Sequence, residues 1–142
     1  MSSPSPRGRT GSSVAVVMLR AARRLGSDLE AELQHADLGI DHWLVIDVLA
    51  GADGLTMAEL QSATMIAGPT QTRVVDKLVS RSLVYREVDK FDRRKVRVYL
   101  STRGLALHDE LRPGVDAAER AWLDDHADQV CAGIAGRRAG KS

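Results

Sequence analysis

Apolar positions along the chain keep a helical period, switch to a period of two, and then return to the helical one. From Val14 to Asp37, the residues Met18, Ala22, Leu25, Leu29, Leu33 and Ala36 recur at three- and four-residue steps. This predicts one long amphipathic helix. Leu38-Gly39-Ile40 interrupts it, and Asp41 is placed to cap a second helix through Ala50, with Gly51 as its left-handed stop. That helix is heavily apolar (Trp43, Leu44, Ile46, Val48, Leu49), and a turn follows at Ala52-Asp53-Gly54. Thr56 and Glu59 form a T-x-x-E capping box for a third helix through about Ala63, with Leu55 and Leu60 spaced as a hydrophobic staple. A turn is expected at Ala67-Gly68, and Pro69 suits the first position of a fourth helix.

On that fourth helix Val74, Val75, Leu78 and Val79 share one side, and Thr72, Arg73, Asp76, Lys77 and Ser80 the other. Then the period changes. Val84, Arg86, Val88 and Val96, Val98, Leu100 alternate as two strands, joined by the long loop Asp89-Lys90-Phe91-Asp92-Arg93-Arg94-Lys95. Ser101 or Thr102 can cap a further helix with Leu105, Leu107 and Leu111 on its apolar side. Pro113 is expected to kink or end that helix. Helicity resumes over Val115, Ala118 and Trp122, and Asp124 is placed to cap a last helix holding Ala127, Val130, Cys131 and Ile134.

Two short helices followed by a charged hairpin make a winged helix-turn-helix, so the fold expected is mainly α with a small β-hairpin wing. Residues 14–40 and 102–135 form a helical dimerisation region at the two chain ends, and residues 41–101 the winged lobe. Residues 1–13 and 136–142 are expected to be disordered tails. The terminal helices carry apolar stripes with no obvious partner in one chain, which points to a homodimer.

Net charge is only +1, but its distribution is uneven. Residues 14–68 hold three cations and eight anions, net −5; residues 69–104 hold ten and four, net +6. The cations gather where the fourth helix and the hairpin lie, the electrostatic footprint of a DNA-binding lobe on an acidic body. Four cations in one hairpin loop suit a wing lying along phosphates.

The segments Thr70-Gln71-Thr72-Arg73-Val74-Val75-Asp76-Lys77-Leu78, Leu83-Val84-Tyr85-Arg86, Asp92-Arg93-Arg94 and Leu100-Ser101-Thr102-Arg103-Gly104 stand in an order and spacing that resembles the MarR (multiple antibiotic resistance regulator) family. The resemblance implies a recognition helix, a first strand, a wing and the entry to a long dimerisation helix. It implies a homodimeric transcription regulator, a repressor, on a pseudo-palindromic double-stranded DNA operator; a cytoplasmic location is expected because residues 1–13 hold no apolar signal segment. The DNA-contacting residues expected are Pro69, Thr70, Gln71, Thr72, Arg73, Lys77, Lys90, Arg93, Arg94 and Lys95, with Asp92 orienting the wing. Release by a small aromatic or phenolic effector is a further expectation, at His42, Trp43, His108 and Arg112. Two positions depart from the family pattern. Ser82 stands where glycine is usual, and Gln71 where an apolar residue is usual. Gln71 can hydrogen-bond within the motif or reach DNA.

Other chemistries find less support. No nucleophile elbow, phosphate loop or H-E-x-x-H motif is present, so no enzyme is expected. His35, His42, His108 and His126 are scattered, and Arg112 stands one turn after His108, where a second ligand would be needed; neither metal nor cofactor is expected. The lone Cys131 has only Asp128 as a close charged neighbour in sequence and is expected to be a buried small apolar residue rather than a redox switch. No apolar run is long enough to span a bilayer. The alternative function is a winged-helix module whose basic hairpin meets an acidic protein.

Overall fold

The computed structural model describes residues 13–139. The tail expected over residues 1–13 falls outside these apart from Ser13, as do residues 140–142. The elements are α1 (Val14–Leu33), a 3-10 turn (Gln34–Ala36), α2 (Ile40–Ala50), β1 (Leu55–Thr56), α3 (Met57–Thr64), α4 (Gly68–Ser80), β2 (Val84–Val88), β3 (Val96–Leu100) and α5 (Thr102–Ala139). This is a mainly helical fold with a small antiparallel sheet.

The helix ends show how local sequence sets the breaks. Asp37 adopts a left-handed conformation (φ 54°), its N–H donating to Gln34 O (3.0 Å) and that of Leu38 to Leu33 O (3.4 Å). This double closure leaves few carbonyls unsatisfied. The N-cap of α2 is Gly39 rather than Asp41, which lies in the first turn. His42 Nδ1 accepts the Gly39 N–H at 3.1 Å, reaching back from the first turn to the N-cap residue. Gly51 is not left-handed (φ −96°). The glycine that needs its freedom is Gly54 (φ +79°), where a Cβ would stand 2.4 Å from the Tyr99 ring.

Both halves of the capping box on α3 are made. Thr56 Oγ1 accepts from Glu59 N–H, and Glu59 Oε1 accepts from Thr56 N–H, each at 3.1 Å. The turn after α3 falls at Met65–Ala67, earlier than Ala67-Gly68, because Met65 takes the left-handed conformation and donates to Gln61 O at 2.8 Å. Pro69 sits in the first turn of α4. At its far end Ser82 (φ 61°) occupies the left-handed position, with Ser82 N–H donating to Val79 O (2.9 Å) and Leu83 N–H to Leu78 O (3.0 Å).

β2 and β3 pair in the register Val84↔Leu100, Arg86↔Val98, Val88↔Val96. The two-residue strand β1, absent from the sequence-based expectation, adds Leu55↔Val98 and Thr56↔Arg97, giving the order β1-β3-β2. Ser101 caps α5, its Oγ accepting the Gly104 N–H at 2.9 Å. Pro113 does not end this helix, and Asp124 does not begin another: α5 runs unbroken for 38 residues. One missing donor and ring costs about 3 kcal/mol, which many surrounding turns outweigh. Residues 136–139, expected in a disordered tail, are helical.

The chain forms two compact units. In the unit from Glu30 to Val115, Leu33, Val45, Ile46, Leu60, Val75, Leu78 and Val98 are fully buried. The other unit joins the described parts of residues 1–29 and 116–142. There Trp122 Nε1 donates to Ala21 O at 2.9 Å, and the Trp122 ring stacks on His126. In this unit Val16, Met18, Leu19, Leu123 and Ile134 are exposed, so the N-terminal apolar stripe is only partly covered within one chain. Cys131, expected to be buried, is exposed. Among the described residues no helix is long and apolar enough to cross a membrane.

Candidate nucleic-acid interface

α4 buries Val74, Val75 and Leu78 and turns Pro69, Thr72, Arg73 and Asp76 to solvent, with Thr70 half-buried. Two bonds order the exposed end: Thr72 Oγ1 donates to Gly68 O at 3.1 Å, and Arg73 Nη2 donates to Thr70 Oγ1 at 3.4 Å. The arginine is thus extended along the first turns, with most of its donors left for a ligand.

Two residues grouped with these from the sequence lie elsewhere. Gln71 is only 2% exposed. Its Nε2 donates to Met57 O at 2.9 Å, and its Oε1 lies 3.2 Å from the Thr64 hydroxyl. It stitches α4 to α3 and is not a DNA contact, because an amide buried among apolar side chains must satisfy its donors internally. Lys77 is half-buried and points at the end of the first helix, with Nζ donating to Asp37 O at 3.1 Å and lying 3.7 Å from the Asp37 carboxylate. Arg81 donates to the same carbonyl at 3.2 Å. Cations gather at carbonyls left at a helix end, so Lys77 serves as a tie within the lobe.

The hairpin loop is closed by Asp89 N–H donating to Lys95 O and Lys95 N–H to Asp92 O, each at 2.9 Å. Inside it, Asp89 is buried and accepts from Phe91 N–H (2.7 Å) and Asp92 N–H (3.0 Å) while pairing with Arg97 of β3. The Arg97 guanidinium, then the Phe91 and Asp92 amides, lower the Asp89 carboxyl to about 2. Arg97 also reaches Gly54 O and Glu59 Oε1, each at 3.4 Å. Its own pKa is raised, first by Asp89. This Asp89–Arg97 brace was not foreseen from the sequence; the one available signal is that Asp89 opens the loop and Arg97 lies on the strand that follows it. Asp92 Oδ1 accepts from Arg94 N–H (3.0 Å) and Nε (3.3 Å). The Arg94 side chain remains 92% exposed. Lys90, Arg93 and Lys95 are exposed and make no ion pair among the described residues. Arg86 of β2 pairs with Asp76 of α4, which fixes the hairpin to the helix.

Of the four residues expected to hold an effector, Trp43 and His108 are brought into contact. Trp43 and His108 are both buried, their rings stacked at 5.0 Å and 4°. His108 Nε2 lies 2.8 Å from Asp47 Oδ1. These rings are core, packed against each other rather than lining an opening. His42 caps α2 and lines a groove of about 380 Å³ with Glu30, Thr70, Arg73 and Lys77, away from Trp43, His108 and the exposed Arg112. Burial, then the Lys77 cation, lowers the His42 pKa. Among the described residues no group of three or more His, Cys, Asp or Glu could hold a metal ion.

This geometry has relatives. The model of the MarR family matches residues 36–95. The chain is 26% identical over 104 residues to the HTH-type transcriptional regulator FarR of Neisseria gonorrhoeae, covering 73% of this chain and 71% of that protein. It is 28% identical over 96 residues to the HTH-type transcriptional regulator TtmR of Methylorubrum extorquens (strain PA1), covering 68% of this chain but only 49% of that protein. Bordetella bronchiseptica BpsR, whose DNA binding is regulated by 6-hydroxynicotinic acid, superposes with a TM-score of 0.76 at 23% identity, over 97% of this chain and 99% of that one. That likeness establishes the fold. Residues 36–95, which hold the helix-turn-helix, β2 and the hairpin loop, are similar to the MarR family of winged helix-turn-helix transcription regulators.

Proposed function

We propose that the protein is a homodimeric repressor of a pseudo-palindromic operator, with α4 of each lobe in a major groove and each wing in the adjacent minor groove. The observation that carries this reading is the pairing of two exposed surfaces on one unit. Thr72 and Arg73 near the start of α4 and the Arg93–Arg94 wing tip are all solvent-facing, and the Arg86–Asp76 pair ties hairpin to helix. Pro69, Thr70, Thr72 and Arg73 address base edges and the nearest phosphates. Arg94, steadied by Asp92, enters the minor groove, and Lys90, Arg93 and Lys95 contact phosphates. The exposed apolar residues of the terminal unit favour a dimer, since a surface this apolar marks an association site. Half-site centres then lie about one helical turn, ~34–36 Å, or a multiple apart. A small aromatic acid as releasing effector is favoured by the regulation of BpsR. The burial and mutual stacking of the Trp43 and His108 rings count against a site at that pair.

The test is a titration of duplex binding across salt, with the operator and a scrambled competitor. Arg73→Ala should cost ~1–3 kcal/mol on the operator and relax preference at one base position per half-site. Arg94→Ala should weaken binding to many sequences, most at A·T-rich flanks, and reduce the salt slope by about one for each phosphate it no longer neutralises. Sedimentation should report twice the 15.4 kDa chain mass. If both substitutions leave affinity and salt slope unchanged, the basic hairpin serves an acidic protein partner instead.

A further inference from the structure

Phe91 is the chain's one phenylalanine, and it is 98% exposed. A ring left in water forgoes one of the largest burial gains any side chain offers. It stands at the wing tip between Lys90 and Asp92, two residues before Arg93 and three before Arg94. Its backbone is fixed. The Phe91 and Asp92 amides both donate to Asp89, and Arg97 of β3 holds Asp89 in turn. At the loop end of the same hairpin Val88 and Val96 face each other in register, and both are exposed. The wing therefore presents an apolar strip ending in an aromatic ring, bordered by four cations.

That arrangement suits one kind of surface. The minor groove has apolar sugar walls and base edges between two rows of phosphates. Proteins that bind it often drive an apolar side chain between base pairs, partly unstacking them and bending the duplex toward the major groove. We propose that Phe91 is such a wedge: it enters a base step at the operator flank while Lys90, Arg93, Arg94 and Lys95 hold the phosphates on either side. This rests on the DNA-binding reading above. It adds that the bound duplex is bent, and that flexible pyrimidine–purine steps are preferred at a position where no hydrogen bond reads the base.

The experiment uses the full chain and duplexes that it selects from a random-sequence pool. 2-Aminopurine replaces adenine at successive flanking positions, and dyes on the duplex ends report the bend. The wild type should raise 2-aminopurine fluorescence at one step per half-site and shorten the end-to-end distance. Phe91→Ala should abolish both and weaken binding about tenfold, within the range an aromatic–base stack is worth, with the salt slope unchanged because no charge is removed. Phe91→Leu should retain most of the bend. The ring is 98% exposed and buried against none of the described residues, so Phe91→Ala should unfold in urea like the wild type. If Phe91→Ala keeps the bend, the fluorescence and the affinity while Arg94→Ala weakens binding, the wedge is wrong and the DNA reading stands. Loss of self-association in Phe91→Ala with DNA bending intact also overturns it, as the ring then meets a second copy. If the wild type selects no duplex, the DNA reading fails and the wedge with it.

Discussion

Gln71 separates a structural role from a DNA-contacting one, and its replacement gives a measurable answer. Its amide nitrogen is the donor to Met57 O, a carbonyl in the first turn of α3, and the side chain is almost fully enclosed. In Gln71→Ala that carbonyl is left without its partner where water has little access, at a cost of ~1–3 kcal/mol. Removal of the buried methylene adds about 0.8 kcal/mol, so about 2–4 kcal/mol in all. Gln71→Leu restores the volume but not the donor and should cost about 1–3 kcal/mol. The Thr64 side softens the effect, because its single hydroxyl proton also has Leu60 O at 3.0 Å as an acceptor. Urea unfolding at one fixed protein concentration reads the stability, and a salt series on a selected duplex reads the DNA interaction. The urea midpoint should fall while the salt slope stays that of the wild type. An unchanged urea midpoint with weaker, less specific DNA binding would refute the reasoning and return Gln71 to the DNA-facing set.

Other expectations follow from the turns and the wing. Ser82 holds φ 61° without glycine's freedom; Ser82→Gly should raise stability by up to about 1 kcal/mol, seen as a higher urea midpoint at unchanged m-value. The Asp89 carboxyl, held at about 2 in the fold against an ordinary 3.8, binds its proton more weakly folded than unfolded. Its contribution is therefore complete above about pH 4 and is lost as pH falls toward 2. Carbon-detected titration should give a midpoint near 2; a midpoint near 3.8 would remove the brace. Asp89→Asn should raise the hydrogen-exchange rates of the Phe91 and Asp92 amides at pH 7 and leave those of Val75 and Leu78 in α4 unchanged.

What could be read from the sequence was mostly local. The capping box at Thr56–Glu59 needs only residues three apart, and the Val84–Val88 and Val96–Leu100 alternation needs only its own period. The inward stripe of α4 was also legible. Position 71 lies three and four residues before Val74 and Val75, so helical spacing puts Gln71 on the buried side. Its polarity drew attention outward, and position should have outweighed polarity. Contacts between distant positions were not legible. β1 is too short to show a period, and its residues had a sufficient role as cap and staple. Trp43 and His108 are 65 positions apart, and nothing in either neighbourhood indicates that their rings stack. Pro113 signals only its local cost, whereas the outcome depends on how much helix lies to either side.

The charge distribution changes meaning once the partners are known. Of the ten cations between residues 69 and 104, Lys77 and Arg81 are engaged at Asp37, Arg86 at Asp76, and Arg97 at Asp89 and Glu59. These four bind the lobe together and add little to its outward field, because an acid or a carbonyl dipole stands beside each. The remaining six are Arg73, Arg103 and the four of the hairpin loop, of which Arg94 lies beside Asp92 but keeps its side chain 92% exposed. Outward positive charge is therefore concentrated in a seven-residue tip, while the exposed end of α4 offers one arginine and small hydroxyls. Phosphate attraction depends on charge and is screened by salt, whereas base discrimination depends on the geometry of a few donors. On the proposed DNA-binding reading, the wing supplies most of the affinity and the start of α4 most of the selectivity. On that reading the Arg86–Asp76 pair holds the two in a fixed relation, so that the wing's grip on the phosphates would set the register in which Arg73 meets the bases.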